Sequence, residues 1–129
     1  MTLRVVRLGT PRRAGEGLRI GTARRPPRGV RKSDYARLNY YDVWLPDLAP
    51  SQELVSWALS QPWTDARWKR FARSYRGEMG DPRAQRLLEL LAALSQRTSL
   101  SVGCYCEDES RCHRAVLKEL LAEKGAKLA

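Results

Sequence analysis

Apolar positions in this chain repeat every second residue at first and then at the spacing of a helix. Leu3, Val5, Val6 and Leu8 are rich in branched side chains and predict a strand over 3–8. Residues 9–17, with Pro11 and two arginines between Gly9 and Gly17, read as a turn region. Leu18, Ile20 and Thr22 then alternate with Arg19 and Gly21, as in a half-exposed strand. The next stretch, ARRPPRGVRKSD over 23–34, is a basic loop, because Pro26 and Pro27 forbid a helix or a central strand. Tyr40, Tyr41, Val43 and Trp44 predict a third strand over 39–45, ended by Pro46.

Three helices follow. Ser51 is placed to cap the first, with Glu53 in its first turn, Leu54, Val55, Ala58 and Leu59 on its apolar face and Trp57 beside them. Thr64 caps the second, where Trp68, Phe71, Ala72 and Tyr75 fall on one face opposite a basic one. Asp81-Pro82 opens the third, whose buried face is Leu87, Leu88, Leu91 and Leu94. LSVGCYC over 100–106 predicts another strand, and Val116, Leu117, Leu120 and Leu121 a last helix that Gly125 ends. The expected fold is α/β: one small layered domain over 1–129, with a mixed, mostly parallel sheet flanked by helices.

Charge sharpens this picture. The net charge is +10. Residues 1–37 carry eleven basic against two acidic residues, whereas 38–129 carry thirteen against twelve. A block of that kind attracts anionic ligands or polyanions. No helix-turn-helix, zinc-finger or RNA-binding signature accompanies it. Arg4 and Arg7 interrupt the N-terminal apolar run, so it is no secretory signal, and no stretch is long enough to span a membrane. Three cysteines crowded into nine residues are not a disulfide framework, so a cytoplasmic location with reduced thiols is expected.

The densest chemistry lies in Cys104-Tyr-Cys106-Glu-Asp-Glu-Ser-Arg-Cys112-His113-Arg114, where a strand hands over to a helix. Ligands of α/β sheets bind beyond such strand ends. Ser110 is placed to cap the helix, with Cys112 and His113 in its first turn, where free N–H groups favour an anion and lower a thiol pKa. Three readings compete. Arg111, His113 and Arg114 suit an anion site, with Cys112 or Cys106 as nucleophile and Cys112 and His113 as the candidate catalytic pair; Glu107, Asp108 and Glu109 oppose it, and the spacing misses the phosphatase loop, since Cys112 and not Arg stands six residues after Cys106. Cys104, Cys106, Cys112 and His113 are zinc-type ligands, but neighbours on a helix point about 100° apart, so Cys112 and His113 do not readily share an ion. The structural reading buries the cysteines as small hydrophobes and uses the acids on the helix dipole.

The motif and its order resemble the domain-of-unknown-function 488 family, the YeaO-like bacterial proteins. CYCEDESRCHR resembles that family's C-terminal signature, PRGVRKSD its Pro-Arg-Gly-(Val/Ile)-x-Lys stretch, and YDVWLPDLAPSQEL its Trp-containing strand and helix start. Trp68, Phe71 and Tyr75 stand at the family's aromatic helix positions, and the likeness covers roughly residues 3–123. It implies a small cytoplasmic α/β protein and fixes no reaction. The chain departs from the family's Asp-Arg-x-Trp-Pro-Arg-Gly form: Arg24-Arg25-Pro26-Pro27-Arg28-Gly29 lacks both the Asp and the Trp.

The expectation is therefore an anion-binding domain for phosphate, a nucleotide or a similar group. Its pocket would lie between the 104–114 and 24–32 loops, with Arg28, Lys32, Arg111, His113 and Arg114 as binders. A nucleic-acid module using the basic first third and a structural zinc protein are the alternatives. No cofactor and no membrane contact are expected, and the sequence leaves open whether the site is catalytic.

Overall fold

Four strands form one sheet: β1 (Leu3–Arg7), β2 (Leu18–Gly21), β3 (Val43–Trp44) and β4 (Leu100–Cys104). The computed structural model describes residues 1–129, and in it the strands stand in the order β1-β4-β2-β3, parallel throughout. Parallel neighbours need long crossovers. The crossover into β4 carries the helices α1 (Gln52–Leu59), α2 (Asp65–Glu78) and α3 (Pro82–Ser95), and α4 (His113–Glu123) follows it. Three 3-10 turns lie at Lys32–Asp34, Pro46–Leu48 and Glu109–Arg111.

Side chains alternate across a strand, so each face of β4 has its own partners. Leu100 and Val102 join Leu3, Ile20 and residues of all four helices, including Leu54, Tyr75, Leu88 and Leu117, in one buried cluster. Ser101 and Gly103 face the other way, with Arg19 and Gly21 beside them, and loops cover that side. Arg19 is fully buried; its Nε and Nη2 donate to Glu16 at 2.8 and 2.9 Å, and its Nη1 donates to the carbonyls of Thr10 and Asn39. The Ser101 hydroxyl donates to the same Glu16 carboxylate at 2.9 Å.

The helix starts follow the sequence: Ser51, Thr64 and Asp81 each accept a backbone N–H from the first turn of α1, α2 and α3. The third strand does not extend over 39–45 but is the two residues Val43–Trp44. The chain after the first 3-10 turn coils on, with the Tyr40 N–H bonded to the Tyr35 carbonyl and Asn39 at φ 64°. Tyr41 is buried against Gly21, where an added Cβ would lie 2.4 Å from its ring. The aromatic run thus covers the sheet as a loop instead of extending it.

Gly17 is the tightest backbone approach. Its φ is +79°, and a Cβ there would stand 1.9 Å from the Ser99 carbonyl oxygen. Gly17→Ala is therefore expected to destabilise the fold by about 2 kcal/mol or more, read as a lower midpoint in urea unfolding at an unchanged slope.

Candidate thiol centre at the end of the central strand

Cys104 closes β4 in phase with Leu100 and Val102, so its thiol points to the helical side, where it is buried. The chain then leaves the sheet, and Cys106 is exposed. Asp108 accepts hydrogen bonds from the Ser110 N–H at 3.0 Å and the Ser110 hydroxyl at 2.6 Å. That closes the 3-10 turn Glu109–Arg111 and delays the helix. Ser110, expected to cap α4, is therefore held in the preceding turn; α4 begins at His113 with Cys112, in extended backbone, at the capping position.

This detour returns Cys112 to the end of the strand it left. The sulfurs of Cys104, Cys106 and Cys112 lie within 4.8 Å of one another. Cys104 and Cys106 are 3.9 Å apart, and all three thiols are free. Ala23 packs against the buried pair, Cys104 and Cys112.

His113 is fixed beside the cluster. Its Nε2 lies 3.0 Å from the Thr22 carbonyl oxygen and 3.2 Å from the Thr22 hydroxyl. A carbonyl only accepts, so Nε2 carries the hydrogen. The other ring nitrogen, Nδ1, then faces the Cys112 sulfur at 3.8 Å. Tyr75 packs edge-on to the imidazole at 5.3 Å, and its own hydroxyl donates to the Leu48 carbonyl.

The three thiols titrate as a unit. The neighbouring Cys104 and Cys106 thiols pull Cys112 far below the usual thiol value, against burial. Cys104 is driven well above it by sharing its proton with Cys106 and Cys112 and by burial. Contact with Cys104 pulls Cys106 down, but Cys112 and burial outweigh it and push Cys106 up to about 11. Of the three, Cys112 is therefore the thiol that gives up its proton first, and Cys104 and Cys106 hold theirs longer.

The arginines of the segment are turned to other work. Arg114 is 2% exposed, and its Nη2 donates to the Cys106 carbonyl at 2.6 Å, which clamps the loop onto α4. Arg111 reaches Asp65 at 2.7 Å. Arg28 and Lys32 are exposed. Their loop leaves the same end of the sheet as the cysteine segment, and the Tyr105 hydroxyl joins the two by donating to the Arg25 carbonyl at 3.0 Å. Sequence reasoning missed Thr22 and Tyr75 as partners of the histidine. The signal for Thr22 was present, since it is a polar residue in phase with Ile20 on the core side.

A family model described as "Active DUF488-N3 subclade" matches residues 3–125. The chain is also similar to uncharacterized proteins of Mycobacterium tuberculosis and Mycobacterium bovis, each 34% identical over 106 residues, covering 82% of this chain and 81% of the relative. No solved structure matches it significantly. No helix is long and apolar enough to cross a membrane.

Proposed function

The chain belongs to the DUF488 family, and for this member we propose that Cys104, Cys106 and Cys112 bind one soft metal ion, zinc or copper(I), leaving a coordination position open on the Cys106 side. The observation that carries this is the convergence of three free sulfurs within 4.8 Å of one another. Around an ion with metal–sulfur bonds of about 2.3 Å, tetrahedral thiolates stand about 3.8 Å apart. The Cys104–Cys106 separation of 3.9 Å already fits. Thiolates suit these ions better than hard ones. With His113 held by Thr22, the protein supplies three ligands, the number of a site that keeps a position for water or substrate. The test is a titration of the fully reduced chain with zinc against a colorimetric chelator, and with cobalt(II) for the thiolate charge-transfer band. One ion per chain is expected; no binding beyond that of a variant with all three cysteines replaced by alanine would refute it.

The clamp on the loop gives a further check. Arg114→Met removes the hydrogen bond to the Cys106 carbonyl and leaves every thiol in place. Outer partners of this kind are worth about tenfold to a hundredfold in metal affinity, and a loss of that size is expected in the same titration.

A second reading rests on the Cys112–His113 contact at 3.8 Å, which is the arrangement of an activated nucleophile. In it Cys112 and His113 are catalytic, and Arg28, Lys32, Arg111, His113 and Arg114 hold the anion. Cys112 is 2% exposed, and Arg111 and Arg114 are already committed to Asp65 and a carbonyl, which favours the metal reading. Alkylation separates the two: a nucleophile is modified first at Cys112, with a rate that responds to His113→Gln, whereas accessibility alone directs the reagent to Cys106.

A further inference from the structure

Six of the ten arginines in the first 37 residues have side-chain partners, Arg7 among them, and Arg4, Arg13, Arg28 and Arg31 do not. Arg19 is spent on Glu16, Arg12 on Asp42, Arg37 on Asp34, Arg24 on three backbone carbonyls and Arg25 on Gln52. Arg4 and Arg13 make no ion pair and no side-chain hydrogen bond, although both are reachable from solvent. They meet at a cleft of about 440 Å³ along the outer side of β1. Lys118 of α4, exposed and also unpaired, closes its far side. Arg7 joins them with its Nη groups: its Nε donates to the Tyr105 carbonyl at 3.2 Å, and its one carboxylate partner, Glu107 at 3.5 Å, is exposed and holds it weakly.

The negative side chains at this cleft are few. Glu16 is neutralised by the buried Arg19, which leaves two uncommitted carboxylates, the Glu109 side chain and the Ala129 α-carboxyl group, against four cations. The backbone adds to this field. Leu3 donates its N–H outward, to the Lys127 carbonyl, while Leu8 donates inward, to the Cys104 carbonyl. The alternation of a parallel ladder therefore turns the N–H groups of Val5 and Arg7 outward as well, toward the cleft. No aromatic side chain lines it, so it has no platform for stacking a base.

We propose that this cleft binds the phosphate groups of a polyphosphorylated anion, recognised by charge and not by base identity, with Arg4, Arg7, Arg13 and Lys118 as its ligands. Such groups reach the cleft either on a small molecule or along a single-stranded nucleic acid, and the chemistry of the contact is the same in both. The site is separate from the thiol centre and needs no metal.

The experiment compares the reduced wild-type chain with Arg4→Gln/Arg13→Gln/Lys118→Gln. All three positions are on the surface, so the folding midpoint is expected to stay within a few degrees, which circular dichroism checks. Two probes are titrated at 50 mM salt and above: inorganic tripolyphosphate by calorimetry, and a fluorescent 15-nucleotide oligothymidylate by anisotropy. A control variant, Lys69→Gln/Arg73→Gln/Arg83→Gln, removes the same charge from exposed positions on α2 and α3. The cleft variant is expected to lose at least tenfold in affinity for whichever probe binds, and the control less than threefold. If the oligonucleotide is the better ligand, the slope of log affinity against log salt should flatten by about 2 in the cleft variant, at about 0.7 per lost single-strand phosphate contact. Binding of tripolyphosphate alone identifies a small phosphorylated ligand. Binding of neither probe, or equal losses in the two variants, overturns the proposal.

Discussion

Glu16→Ala is expected to destabilise the fold by about 3–5 kcal/mol. The Glu16 and Arg19 side chains are 2% and 1% exposed. Removing the carboxylate leaves a guanidinium sealed under the loops without its ion-pair partner, and it also strips Ser101 of its acceptor. Denaturant unfolding measures the loss. An unchanged midpoint would mean that water reaches Arg19 and that the loop cover is open. The same pair makes stability depend on pH. Burial pushes the Glu16 carboxyl up, but hydrogen bonds from Arg19 and Ser101 more than offset this and hold it below its ordinary value. The contribution of a carboxylate depressed in this way is complete above the ordinary carboxylate pKa and is lost as the pH falls through the lower, folded value. Glu16→Gln should therefore flatten the acid limb of the stability profile, and a limb as steep as in the wild type would assign acid unfolding to other carboxylates.

Cys112→Ser carries the second large effect. It removes the thiol of the cluster that ionises most readily and is expected to lower zinc affinity by about a thousandfold or more, whereas Arg114→Met leaves binding measurable. The proton count gives an independent reading. A metal binds thiolates, so its affinity depends on how many thiols must first lose a proton. Because Cys112 gives up its proton before Cys104 and Cys106, binding is expected to release the two protons that Cys104 and Cys106 hold. Below the Cys106 value of about 11, log affinity should rise by about 2 for each pH unit. Calorimetry in buffers of different ionisation enthalpy counts the same protons. Three would show that Cys112 enters binding as a thiol, and none would show that the metal is held elsewhere.

The first three helices were readable because each starts on a residue whose side chain can take a backbone N–H, and Ser51, Thr64 and Asp81 do so in the structure. The site's location was readable because three thiols and the chain's one histidine crowd a strand-to-helix junction. Its geometry was not. Spacing alone placed Cys112 on a helix, where it and His113 diverge. The competition of Asp108 for Ser110 instead moves Cys112 to the capping position, where extended backbone swings its sulfur back to β4. Thr22 is distant in sequence and approaches His113 only because β2 lies beside β4 in the sheet. The third strand misled for a related reason: Tyr40 and Tyr41 suit a pleated surface, but Gly21 offers the space that Tyr41 fills from a loop.

The position of β4 at the centre of the sheet also sets the order in which the chain can assemble as it is made. Leu3 pairs with Leu100 and Ile20 with Val102, so neither N-terminal strand has its main partner until about a hundred residues exist. At about 5–20 residues per second of synthesis, β1 waits several seconds or more with its backbone unpaired. A branched apolar strand in that state is prone to wrong pairing with other chains. Arg4 and Arg7 interrupt it, and charges flanking such a segment act as gatekeepers against aggregation. The arginines that line the finished cleft thus have an earlier task, keeping the nascent strand soluble until its partner arrives.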